Sequence, residues 1–196
     1  DKIKSDDLNN LINSDNYSHY ILKEPHSTWE NYQVILGDQM YVNRGYKISK
    51  IVKNGFSSLK ILKKNIFAFK KENQNIKLNF DFFHGVGILD KAIDVLDEKE
   101  RNDFRKFVNT NKSFNRENMF ICRSKKLMNE YFLSVFTWLE KCEQIFGFNL
   151  KGYAKTRVYT FLAERYISYW FNKYSNPLCW PVFFFDTNKN KLNLRK

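Results

Sequence analysis

Between Ser124 and Gly147, apolar side chains recur at Met128, Phe132, Val135, Leu139, Cys142 and Phe146, in steps of four and three. That is the period of one helical face, and Ser124 and Gly147 stand where an N-cap and a C-terminal cap belong. The spacing predicts a helix between them. A second long helix is predicted from Tyr153 to Tyr174, with Val158, Phe161, Leu162, Tyr166, Tyr169 and Trp170 on a core-facing stripe. Asn176-Pro177 stops it, because a proline disfavours helical backbone in the residue before it. Upstream, Leu89, Ile93, Leu96, Phe104 and Phe107 share one face, and Asp97 with Glu100 reads as a capping box that starts a new helix. Lys47–Lys64 has near-helical apolar spacing that Gly55 interrupts, and is read as helical.

Shorter runs read differently. Tyr32–Leu36 predicts a strand closed by Gly37-Asp38, Asn65–Phe69 a strand, Asn118–Cys122 a buried strand, and Val182–Phe185 a final β-like run. Lys70–Asn75 reads as a polar loop and Asp6–Ile12 as a short helix. Strands alternating with helices predict an α/β fold with a helix-rich C-terminal half. Neither a repeat nor a Gly/Ser/Pro-rich linker divides the chain, so residues 1–196 are expected to form one domain. The start at Asp1 leaves open that this domain is a piece of a longer chain.

Composition removes several classes. Nineteen Phe, eleven Tyr and four Trp exclude a disordered chain, and seven Gly and three Cys exclude a collagen or a disulfide scaffold. No apolar run approaches the roughly 20 residues that span a bilayer, and no signal peptide is visible. Cys122, Cys142 and Cys179 are odd in number and widely spaced, which reads as reduced, buried small hydrophobes rather than a zinc site. Thirty-three Lys and Arg against twenty-one Asp and Glu leave a net charge of +12.

The chain has no Gly-x-Gly-x-x-Gly, P-loop, Gly-x-Ser-x-Gly or His-Glu-x-x-His pattern, and no Asp-x-Asp pair for a metal–diphosphate grip. Its most unusual segment is Phe80–Asp90, with His84, Gly85 and Gly87 between Asp81 and Asp90. One reading is a binding loop in which Asp81 or Asp90 takes a proton and His84 positions a substrate. The other is a strand ending in a turn, with His84 simply hydrogen-bonded. Polar residues at a strand end gather ligands in α/β folds. Arg116 and Arg123 therefore suit an anionic group beside Asn118, because guanidinium matches phosphate in two-point geometry. Arg157 and Glu164, seven apart on one helical face, either line a site or anchor the helix by ion pairs.

The ordered set Asn118-Met119-Phe120-Ile121, then Tyr131-Phe132 and Trp138-Leu139-Glu140, then Arg157 and Phe161-Leu162-Ala163-Glu164-Arg165, resembles a bacterial family. That family is the capsule- and exopolysaccharide-biosynthesis glycosyltransferases, long catalogued as a domain of unknown function. The resemblance covers about residues 80–185, and His84 and Asp90 look like the family's His…Asp loop at a longer spacing. The family's upstream motifs, of Glu-Leu-Thr-x-x-Tyr-Trp and His-Tyr-Arg-Arg type, are absent from residues 1–79.

The resemblance implies a nucleotide-diphospho-sugar transferase sheet and transfer of a sugar from an activated donor to a surface glycan. It implies Asp81 or Asp90 as base, with His84 beside them, and Arg116, Arg123 or Arg157 at the diphosphate. Asn118 would hold sugar hydroxyls, and Glu164 would join the substrate site. A Mg or Mn ion is compatible with such chemistry, and the sequence leaves cofactor and metal open. The partners expected are a nucleotide-sugar donor and a glycan acceptor. The expected location is the cytoplasm, with weak peripheral contact to anionic inner membrane through Lys and Arg. Trp170, Trp180 and Phe183–Phe185 would add to that contact only if exposed. Two rival classes are a non-catalytic partner domain of a larger enzyme and a basic nucleic-acid-binding protein. The interleaving of acids with bases speaks against the second, and no nucleic acid is expected.

Overall fold

In a computed structural model, residues 27–186 and 191–194 are described. The predicted helix Asp6–Ile12 and the side chains of Phe183–Phe185 lie outside that description. The chain folds as a helix-rich mixed α/β protein. Strand β1 (Val34–Gly37) is buried along its whole length. It is the middle of a three-stranded sheet, antiparallel to β4 (Phe120–Cys122) and parallel to β5 (Leu178–Trp180). After Asp38 the chain continues as β2 (Gln39–Tyr41), which pairs antiparallel with β3 (Ser113–Asn115). A hairpin of β6 (Phe183–Asp186) and β7 (Lys191–Leu194) follows.

Helices α1 (Ile48–Lys53), α2 (Gly55–Lys64), α3 (Ile76–His84), α4 (Ile88–Asp94) and α5 (Glu98–Thr110) separate β2 from β3. Helix α6 (Lys125–Phe146) follows β4, and the short α7 (Tyr153–Thr156) leads into α8 (Val158–Tyr174). The main core lies where α5, α6 and α8 meet the sheet. Phe104 is edge-on to both Trp138 and Tyr166, and the Trp138 indole N–H donates to the Ala92 carbonyl at 2.6 Å. Burying each such side chain contributes roughly 1.5–3 kcal/mol. Tyr166, Tyr169 and Trp170 are all buried, as the stripe requires. Trp180 packs edge-on against Trp29. No described helix is long and apolar enough to cross a membrane.

Helix α6 keeps its predicted ends: Ser124 Oγ accepts from the Leu127 N–H, and Gly147 takes a positive φ of 62°. Elsewhere the structure departs from the sequence reading. Residues 80–84 are helix, not strand, because the Asn75 side chain caps α3 by accepting from the Leu78 N–H at 2.8 Å. Gly85, at φ 118°, ends that helix. Asn65–Phe69 forms consecutive turns, nucleated by Asn65 Oδ1 accepting from the Phe67 N–H. The loop after it holds a 3-10 turn at Lys71–Asn73. β4 is an edge strand with one neighbour, so Ile121 is exposed rather than buried. The helix predicted from Tyr153 breaks at Arg157. All three cysteines are free, but only Cys142 is buried; Cys122 is half-buried and Cys179 exposed.

Candidate functional site

The segment Arg116–Asn118 joins β3 to β4. Since Leu36 pairs with Phe120 and Gln39 with Asn115, this segment passes the carboxyl end of β1. Open α/β sheets place ligands at that end of their parallel strands. Glu117 and Asn118 both have positive φ, 80° and 42°, a left-handed backbone uncommon outside glycine. Strain of this kind persists only where the surroundings impose it.

Three anchors impose it here. Asn115, fully buried, donates its main-chain N–H to Ser168 Oγ and its side-chain amide to the Gly37 carbonyl, both at 2.6 Å. Asn118 Nδ2 donates to the Thr160 carbonyl at 3.0 Å. The Glu117 main-chain N–H donates to the Glu164 carboxylate. Gly37 is needed for packing, since a Cβ there would come within 2.9 Å of Val182 Cγ2 and 3.7 Å of the Arg116 carbonyl. Two buried atoms of the segment, Arg116 Nε and Asn118 Oδ1, have no hydrogen-bond partner among the described residues. Buried polar atoms are rarely left so.

Beneath the segment lies α8. Burial, reinforced by the negative charge of Glu117, pushes the Glu164 carboxyl above the ordinary range, against the pull of Arg165 and of the Glu117 main-chain N–H. Arg165 is wholly buried. Its guanidinium donates to Glu164 at 2.9 Å and Asn79 Oδ1 at 3.1 Å, and lies 4.2 Å from the Phe114 ring centre. Burial pulls it down to about 10, so it remains a cation at neutral pH. His84 stacks on Phe161 with ring centres 4.0 Å apart. Arg157, exposed, bonds the Tyr153 hydroxyl and lies 5.7 Å from the same Phe161 ring.

Five of the residues singled out by sequence thus gather around one corner: His84, Arg116, Asn118, Arg157 and Glu164. Asp81 and Asp90 come together elsewhere, bridged by Lys77 at 2.6 and 3.0 Å. Asp81 also accepts the Gly87 N–H at 3.1 Å, and Asp90 faces Arg105 at 3.8 Å. Arg123 sits at the far end of β4, donating to the Glu30 carbonyl. Sequence reading passed over Lys77, Asn79 and Ser168, and took Arg165 only as part of a motif. A cation one turn after Phe161 on an aromatic stripe is the signal that a buried partner waits for it. Among the described residues no three His, Cys, Asp or Glu side chains converge to hold a metal ion.

The family model of a domain of unknown function, DUF4422, matches residues 16–176. The chain belongs to this family. The DUF4422 match takes in β1, the Arg116–Asn118 segment and α8, and begins well upstream of the motifs at residues 80–185. No curated protein and no solved structure matches the chain.

Proposed function

We propose that this DUF4422 chain is a glycosyltransferase, or a domain of one, that moves a sugar from a nucleotide-activated donor to a bacterial surface polysaccharide. One observation carries the reading. Residues from three motifs of the family resemblance, His84, Asn118 and the Arg157–Arg165 stretch, meet around a left-handed segment with unpartnered buried polar atoms.

In this reading the sheet belongs to a nucleotide-diphospho-sugar transferase fold. Arg116 and Arg157 supply positive charge to the departing diphosphate. Asn118 Oδ1 accepts from a sugar hydroxyl. Glu164, tied directly to the Glu117 main chain, takes the proton of the acceptor hydroxyl. The freed oxygen bonds to the anomeric carbon as the bond to the diphosphate oxygen breaks, and the nucleoside diphosphate leaves. Lys77 bridges Asp81 and Asp90, which fixes α3 against α4 away from the Arg116–Asn118 segment. The acceptor is lipid-linked and met at the cytoplasmic face of the inner membrane.

The test is a thermal-shift screen against UDP-, GDP-, ADP- and dTDP-sugars, followed by transfer to an acceptor glycan. At least one donor raises Tm by mass action. Arg116→Gln and Asn118→Ala abolish that shift. A panel without any shift, or a shift that both variants retain, refutes the site.

A further inference from the structure

The interleaving of acids with bases expected along the chain fails between Gln39 and Lys71, which carry nine Lys and Arg and no Asp or Glu, three-quarters of the net charge of +12. None of the nine forms a salt bridge with a described carboxylate, whereas Lys77, Arg105, Lys141 and Lys173 all do. This region is α1, α2 and the turns after them. Its helices hold to the body by one side only. Ile61, Ala68 and Phe82 form a small satellite core with Ile51 packed on it, and Ser58 Oγ donates to the Ile51 carbonyl.

The other side is apolar and exposed. Ile48, Val52, Phe56 and Leu59 follow one another at helical steps of four, four and three, and are 79%, 72%, 75% and 60% exposed. Ile48 and Val52 lie one turn apart on α1, and Phe56 and Leu59 one turn apart on α2, on either side of the break at Asn54. Ile66 and Phe67 extend the surface into the next turn, also exposed. Lys60 and Lys70 each sit 4.5 Å from a ring on this surface, over Phe56 and Phe67.

We infer that α1, α2 and the following turn dock the protein onto an anionic lipid bilayer, with Ile48, Val52, Phe56 and Leu59 entering the headgroup–acyl boundary. Lysines around the stripe reach the phosphates on their flexible stems while their methylenes stay with the apolar layer. Charge complementarity commits the surface to a polyanion, and the aliphatic stripe decides which kind. A nucleic acid rewards the cations but has no place for exposed Ile, Val and Leu; a bilayer rewards both. The inference does not rest on the transferase reading, since none of these residues belongs to the Arg116–Asn118 site.

Co-sedimentation with vesicles tests it on the full chain, comparing phosphatidylcholine alone with a phosphatidylglycerol mixture. The wild type pellets with the anionic vesicles only. Lys60→Gln/Lys63→Gln/Lys64→Gln weakens binding by about a hundredfold, at roughly fivefold for each charge near the surface. Phe56→Ser/Leu59→Ser weakens it at least tenfold with the far-ultraviolet spectrum unchanged. As an independent readout, Phe56→Trp shows a blue-shifted emission on adding anionic vesicles, and brominated acyl chains quench it. Three results overturn the inference. They are absence of binding to anionic vesicles at low salt, wild-type binding by the serine pair, and release from vesicles by equimolar DNA phosphate.

Discussion

Asn118 Nδ2 reaches the Thr160 carbonyl at 3.0 Å, tying a residue in left-handed backbone to the first turn of α8. The two lie 42 residues apart. The bond offsets the unfavourable φ, and it leaves Asn118 Oδ1 buried and uncommitted. Asn118→Ala loses both the bond and a side chain that tolerates φ 42°, for about 2 kcal/mol in urea unfolding. Asn118→Gly, which keeps the backbone but not the bond, costs about half as much. In the transferase reading, both variants also lose donor binding.

Asn115 supports the same segment from below. Asn115→Ala leaves the buried Gly37 carbonyl without its 2.6 Å donor, and destabilises by about 2–3 kcal/mol. Asn115→Asp costs more despite its matching shape, because it presents a carboxylate to that carbonyl. Chemical denaturation ranks the three proteins.

Lys77 holds two carboxylates, one of them buried. Lys77→Met strands Asp81 and Asp90 near each other and lowers stability by about 2–3 kcal/mol. Adding Asp90→Asn restores part of that loss. A double-mutant cycle on Tm and urea midpoint measures the recovery; strict additivity would count against the bridge.

Glu164 gives the pH dependence a sign. Burial raises its carboxyl pKa, so the native state keeps the proton to higher pH than the unfolded chain does. Stability therefore falls as pH climbs from the ordinary glutamate range, about pH 4, through the raised value, and is unaffected below it. Glu164→Gln removes this slope. Parallel urea titrations of the two proteins across that window show the wild type losing stability relative to Glu164→Gln as pH rises.

The three thiols report the packing directly. Cys179 is exposed, whereas burial pushes the Cys142 thiol up to about 12. A chromogenic disulfide reagent consumes Cys179 first in the native protein and reaches Cys142 only after denaturant is added. Mass mapping of the labelled cysteine checks the order.

Helix α6 was legible from residue order alone because everything that defines it is local: the Ser124 cap, the period-3.6 stripe and Gly147 at its end. Helix α5 starts where the sequence predicts, after Asp97, but not through a capping box: the Asp97 side chain caps no main-chain N–H and pairs with Lys141, and Glu100 accepts from the Tyr169 hydroxyl. The misread stretches are those where local pattern is ambiguous. Phe80–His84 is apolar enough for either state, and the Asn75 cap tips it to helix. Asn65–Phe69 has strand composition, but a strand needs a partner across the sheet, and the turn bonds of Asn65 come first. Tertiary structure alone decided which of the candidate residues meet. Residue types marked out Asp81, His84, Arg116, Asn118 and Glu164 as chemically capable. Only folding showed that Lys77 neutralises Asp81 while Asn118, His84 and Glu164 converge on α8. Ion pairing and burial depend on neighbours dozens of residues away, and a linear sequence does not encode those distances in any local period.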